Sequence, residues 1–362
     1  MNPQKKLHEW YTLHKRDLPF RKKKQAYPIW ISEVMLQQTR VAAMLPLFEA
    51  FLERFPNPES LAKSTEAEVL SYWKGLGYYS RARNIRKAAI QLVNQYNGSF
   101  PKELDLVLKL PGIGNYTARA VLSIAYDLPY AVLDGNVKRV LSRYFGYTEN
   151  ILGPKADKEL QSKADAFLNP KFPGDHNQAM MELGATLCLP ESPKCLVCPL
   201  TDGCFARIHG KTSEIPFREK KQNQIFLLGK IWVVQKKNLF LLIKEKENRF
   251  LKGMFHFPYG FFGDIPNDGY NPSSFAKFLN LIGKEIPIIG KIKHTITHHK
   301  LEYSVFHVKI EGNPPIEKKL EPKQLERELE GLGVEYKWVG MEHLEAEFPS
   351  SLTKKVKKIL LY

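Results

Sequence analysis

The 362-residue sequence predicts a two-domain chain, helical first and α+β afterwards. Three observations carry that prediction. The length exceeds what a single core usually supports. Residues 1–212 place apolar side chains at helical spacing between capping and stop signals. Beyond a polar, basic stretch at 213–224, read as the linker, residues 225–362 alternate apolar and polar side chains as strands do.

The elements follow in order. "TEAEVLSYWKGLG" sets Thr65 three residues before Glu68, a capping-box pattern, and stops by Gly75. "SRARNIRKAAIQLVNQYNG" puts Ile85, Ala88, Ala89 and Leu92 on one stripe and is expected to terminate at Gly98. Further helical patterns cover 116–126, 136–145, 155–167 and 177–187. In the second part, "QIFLLGKIWVVQKKNLFLLIKEK" reads as a hairpin about a "KKN" turn, and "IGKIKHTITHHKLEYSVFHVKI" as two more β runs. "SLTKKVKKILLY" reads as a short amphipathic helix, which makes the second domain α+β and built on a sheet.

The net charge of +16 and the pI near 9.4 point to a polyanion, nucleic acid before a membrane surface, because no basic amphipathic helix suggests membrane docking. A merely solvated basic surface is the plainer reading. No apolar run approaches the roughly 18–20 residues of a membrane span. The start lacks the apolar core of a secretory signal, so a cytoplasmic protein is expected.

All four cysteines, Cys188, Cys195, Cys198 and Cys204, fall in one C-x6-C-x2-C-x5-C segment. Disulfides confined to so short a loop are disfavoured inside a cell. Four thiolates on zinc or on a [4Fe–4S] cluster fit better. Zinc ribbons normally carry two C-x2-C knuckles, and this segment has one.

Three further stretches carry chemistry. In "LPGIGNYTARA", Gly112 and Gly114 allow backbone angles closed to other residues and a close approach, and the helix that follows offers unpaired amides to an anion. An ordinary corner between helices would read the same way. In "YPIWISEVMLQQTRV", a helix over 28–38 gives Glu33 the neighbours Ile29, Trp30, Leu36 and Gln37, which desolvate a carboxyl and raise its pKa. A solvent-facing glutamate paired with Arg40 is the alternative. In "AVLDGNVKRVLSR", Asp134 stands where a helix N-cap belongs.

The stretch "LPGIGNYTA" resembles the helix–hairpin–helix of the endonuclease III-like DNA glycosylase superfamily, and the cysteine spacing is similar to that superfamily's iron–sulfur loop. The resemblance implies an all-helical catalytic domain that grips duplex DNA and flips one nucleotide out, since a stacked base is unreachable for chemistry. It also implies a [4Fe–4S] cofactor. "SEVMLQQT" closely resembles the signature of the MutY adenine glycosylase family, in which the residue at Glu33 is the general acid. Asp134 matches the superfamily's catalytic aspartate and Asn136 the asparagine beside it. Tyr116 stands where the endonuclease III branch keeps a Schiff-base lysine, and a phenol forms no imine.

The similarity continues through "RDLPFR" (16–21), "GLGYYSRARN" (75–84) and "NQAMMELGA" (177–185). It implies DNA contacts at Gly112, Gly114, Leu36, Gln38, Tyr78 and Arg81, with Leu36, Gln38 and Tyr78 wedging into the base stack. An adenine pocket is implied at Arg16, Phe20, Arg21, Trp30 and Gln178, with Phe20 in a place where the family often has Trp. Residues 225–362 resemble, more weakly, the family's Nudix-like domain for 8-oxoguanine, with Thr297 and His298 as its reading residues and Ile296 replacing an aromatic ring. No Nudix box is present, which excludes a nucleotide hydrolase of that kind. The expected function is a monomeric, monofunctional DNA glycosylase removing adenine opposite 8-oxoguanine or guanine. The alternatives are an endonuclease III-type glycosylase/lyase and a non-catalytic DNA-lesion-binding protein.

Overall fold

The computed structural model describes residues 2–22, 24–219, 225–245, 250–251, 253–262, 273–282, 286–296, 299–310, 322–348 and 350–361. The chain divides into two compact units, Met1–Lys220 and Lys221–Tyr362.

In the first unit the helices are α1 (Pro3–His14), α2 (Ala26–Leu36), α3 (Val41–Arg54), α4 (Pro58–Lys63), α5 (Glu66–Tyr72), α6 (Ser80–Tyr96), α7 (Leu104–Val107), α8 (Asn115–Tyr126), α9 (Gly135–Phe145), α10 (Pro154–Phe167), α11 (Pro173–Thr186) and α12 (Phe205–Ile208). Local sequence sets many of the ends. Thr65 accepts a hydrogen bond from the Glu68 amide, and Asp134 accepts one from the Val137 amide at 2.7 Å. The terminator of α6 is Asn97 in the left-handed region, one residue before the expected Gly98.

Helix α2 differs from the others because its buried residues run without a break from Ile29 to Met35. A helix apolar on every side belongs at the centre of a core. It packs against α3 and α8, α8 packs on α11, and α11 on α9. Trp30 of α2 is fully buried in the same core cluster as Phe51, Phe55 and Trp73, and each such buried side chain contributes about 1.5–3 kcal/mol. Glu33 is carried into that core by the helix it sits on.

The segment read as the linker belongs in part to the first unit. Ile215 is buried, and its carbonyl accepts a hydrogen bond from the buried Arg143. Composition alone concealed this, because "TSEIPFREK" is polar apart from the residues that make the contact.

The second unit is an α+β fold. Its strands are β1 (Ile225–Lys236), β2 (Leu239–Lys244), β3 (Tyr259–Phe261), β4 (Ile288–Ile296), β5 (His299–Lys309) and β6 (Glu335–Gly340). They form a sheet ordered β4-β5-β1-β2-β6, with β3 also on β1; β1 and β5 are parallel and the other pairs antiparallel. Alternation along β1 feeds two cores. Leu227, Ile231 and Val233 face α15 (Leu344–Glu347) and α16 (Ser351–Leu361), whereas Trp232 and Val234 face α13 (Ser274–Ile282) and α14 (Pro322–Gly331).

Candidate active site

A cavity of about 580 Å³ opens among α2, α8, α9 and α11. Glu33, Tyr116, Asp134 and Asn136 all line it. Residues scattered over a hundred positions of sequence thus converge on one site.

Glu33 is only 6 % exposed, and burial drives its pKa from 4.5 to about 7. A hydrogen bond from Tyr116 and the charge of Arg21 oppose the rise, while the negative charge of Asp134 adds to it. The Tyr116 hydroxyl donates to Glu33 Oε2 at 2.5 Å and lies 3.2 Å from Met181 Sδ. Burial beside that carboxyl pushes the phenol well above its ordinary pKa, so it remains a donor. The alternative pairing of Glu33 with Arg40 is not what the structure shows.

Asp134 is built differently. Burial raises its pKa as well, but the Val137 and Asn136 amides, Arg139 and the Asn136 side chain all favour its charged form. Asn136 Nδ2 donates to Asp134 Oδ2 at 3.3 Å, and Arg139 Nη2 in turn donates to Asn136 Oδ1 at 2.9 Å. Helix α11 passes so close that a Cβ on Gly184 would sit 2.6 Å from Asn136 Cβ. The loop before Asp134 is pinned by Asn177, which accepts from the Val132 amide and donates to the Tyr130 carbonyl. One cavity therefore holds two buried carboxyls, Glu33 raised to about 7 and Asp134 also raised by burial, with the donors around Asp134 opposing its rise.

Of the residues named for an adenine pocket, Arg16, Phe20, Arg21 and Gln178 line the cavity. Trp30 does not. It is fully buried against Phe100 and Tyr27, on the core side of α2. Sequence reading missed Glu182, whose fully buried carboxylate receives Arg16 Nε at 2.5 Å and Arg21 Nη2 at 2.8 Å. Burial pushes its pKa up, but the two guanidiniums outweigh burial and hold it below its ordinary value. The signal available in sequence was the pair of arginines flanking "DLPF", which need a counter-charge if they turn inward.

At the cavity mouth, Leu36 is the last residue of α2 and Gln38 stands two residues beyond it. Gln38 and Tyr78 are both exposed and both left-handed, with φ of 60° and 47°. Neither is glycine, so each backbone is strained by roughly 1–2 kcal/mol. Arg81 departs from its expected place as a DNA contact. Its guanidinium is turned inward onto carbonyls of residues 34–37 and 76–77.

In the hairpin, Gly112 has φ +75°, and a Cβ there would meet Asn84 Cβ at 2.6 Å. Gly114 has φ −97° and ψ 177° as the N-cap of α8, an extended conformation open to any residue, so its expected special backbone is not observed. No atom lies within 4 Å of where its Cβ would be, and this leaves the head of α8 bare.

Cys188, Cys195, Cys198 and Cys204 are all free thiols and line a common small cavity. Among the described residues no three such donors stand close enough to hold a single metal ion. Arg143 ties this region together. It donates to the carbonyls of Leu189, Pro190, Thr212 and Ile215, and Nη1 lies 3.4 Å from Cys188 Sγ. Thr297 and His298 lie outside the described residues, although the flanking strands β4 and β5 pair up to Ile296 and His299.

Residues 31–167 match the HhH-GPD superfamily of base excision DNA repair proteins. The chain is 39% identical to an adenine DNA glycosylase of Buchnera aphidicola subsp. Acyrthosiphon pisum, across 69% of this chain and 71% of that protein. This chain belongs to the adenine DNA glycosylase family. A human adenine DNA glycosylase is 31% identical across 86% of this chain and 67% of its own length. In structure, the chain is similar to a thermostable thymine-DNA glycosylase, with a TM-score of 0.52 and 26% identity over 57% of this chain and 95% of that one. No described helix is long and apolar enough to cross a membrane.

Proposed function

We propose that this adenine DNA glycosylase removes adenine facing 8-oxoguanine, or guanine, from duplex DNA and leaves the strand uncut. The observation that carries the reading is the enclosed Glu33 carboxyl, protonated up to about pH 7, sharing its cavity with Asp134. Adenine leaves poorly as an anion. Glu33 gives its proton to N7, the C1′–N9 bond breaks with its electrons going to the base, and neutral adenine departs. Asp134 then faces an oxocarbenium-like sugar, which its carboxylate stabilises or traps as a glycosyl ester. Water adds at C1′, giving up a proton to a carboxylate, and an abasic site remains. Tyr116 holds Glu33 in place, and Asn136, anchored by Arg139, does the same for Asp134.

The monofunctional mode is supported by the cavity lining, which contains no lysine among its described residues. The four free thiols would hold a [4Fe–4S] cluster, which when bound supplies a cross-link for the 188–204 loop. Recognition of 8-oxoguanine falls to the Nudix-like second unit through Thr297 and His298, and the chain acts as a monomer on duplex DNA.

The test uses duplexes carrying adenine opposite 8-oxoguanine, analysed with and without alkali. Breakage of the adenine strand only after alkali is expected, with no borohydride-trapped adduct. Strand breakage without alkali, accompanied by efficient trapping, favours the endonuclease III-type reading. No adenine release at all leaves only a lesion-binding protein.

A further inference from the structure

Arg81 follows the first residue of α6, and its guanidinium folds back between two loops. Nη1 donates to the carbonyls of Val34 at 2.6 Å and Gln37 at 2.7 Å, at the C-terminal end of α2. Nη2 donates to the carbonyls of Leu76 at 3.1 Å and Gly77 at 3.3 Å. The cation also lies over the rings of Trp73, at 5.4 Å, and Tyr78, at 5.5 Å. A planar guanidinium with five donors spans two chain segments in this way more fully than a single ammonium does.

Each segment so joined ends in an exposed non-glycine residue with left-handed backbone, Gln38 on one side and Tyr78 on the other. Backbone of that kind persists only where the surroundings over-determine it. Arg81 grips both sides, through the carbonyls immediately preceding Gln38 and Tyr78. It also caps the helix that carries Glu33.

We propose that Arg81 is a positioning residue for base extrusion: by bridging the end of α2 and the 75–79 loop, it holds Gln38, at the mouth of the cavity, and the exposed Tyr78 as a paired wedge. This rests on the reading that the enzyme extrudes adenine from a duplex. Arg81 donates to backbone carbonyls and not to the side chains of Glu33 or Asp134, so its main contribution belongs to opening the stack, and comparing paired with unpaired adenine separates that from any effect passed through α2.

The experiment compares single-turnover adenine release by the full chain, at saturating enzyme, on two duplexes. In one, adenine pairs with 8-oxoguanine; in the other it faces a tetrahydrofuran abasic analogue, with no pair to open. Arg81→Met is expected to slow release at least about tenfold on the paired duplex and less than about threefold on the unpaired one. Arg81→Lys, which keeps the charge without the fork, is expected to show the same bias in weaker form. The ratio between duplexes is insensitive to the fraction of active protein, so a partly misfolded variant still reports, and Arg81→Lys replaces Arg81→Met if the latter does not fold. Equal loss on both duplexes, or no loss on either, overturns the proposal. Failure of the wild-type enzyme to release adenine would overturn the functional reading instead.

Discussion

Glu33→Gln is expected to lower single-turnover adenine release by about 10³-fold while the variant still binds the mispaired duplex. Positioned general acids contribute about 10²–10⁴-fold, and an amide has no proton to give. The variant is also expected to be more stable than the wild type at pH 8. The pKa of Glu33 stands at about 7 in the folded protein against an ordinary 4.5. Between those values the folded chain holds a proton that the unfolded chain has lost, so stability falls as pH rises from 4.5 to 7 and stays low above it. At ~1.4 kcal/mol per pH unit, the buried charge costs on the order of 3 kcal/mol at pH 8. A neutral glutamine escapes that cost, and the melting temperature should rise by several degrees. A variant less stable than wild type at pH 8, or one with near wild-type release, contradicts the role given to Glu33.

The second large effect is expected at Arg143, 2 % exposed and hydrogen-bonded to four backbone carbonyls that enclose the cysteine segment. In Arg143→Met those carbonyls lose their donors, at about 1–3 kcal/mol for each that stays buried. A loss on the order of 3–5 kcal/mol, from several buried carbonyls left without donors, lowers the melting temperature by about 10 °C. If the proposed [4Fe–4S] site is loaded, iron per chain should fall with it, because the loop presenting Cys188 to Cys204 is no longer anchored. A melting temperature within about 2 °C of wild type, with iron unchanged, would show that the segment holds itself together.

The most legible parts of the sequence were those whose meaning is local. The spacing of Ile29, Trp30, Leu36 and Gln37 around Glu33 predicted a desolvated carboxyl, and its pKa is raised to about 7 mainly by burial. Asp134 preceding an apolar stripe predicted an N-cap, and the cap is present. Strand alternation around the "KKN" turn gave the β1–β2 hairpin, with Lys237 left-handed at its tip.

What escaped sequence reading depends on partners distant in the chain. Glu182 is one helix glutamate among many until Arg16 and Arg21 fold onto it. Trp30 and Glu33 share a helix, but only packing reveals that the indole faces Phe100 while the carboxyl faces the cavity. Arginines are the sharpest case. Arg81, Arg139 and Arg143 all count toward the net charge of +16, yet each is turned onto internal carbonyls and is spent on shaping the protein. Charge composition gives the sum and not the direction in which each cation points. Gly114 teaches the same lesson from the backbone side: a glycine in a turn signals freedom, but its φ of −97° uses none of it.

The most direct measurement is the pH dependence of single-turnover adenine release from a duplex with adenine opposite 8-oxoguanine, at saturating enzyme. With Glu33 as the acid, the rate is expected to fall from about pH 7 upward, approaching about tenfold per pH unit as the carboxyl loses its proton. A rate that stays flat or rises through pH 9 would show that the proton comes from elsewhere.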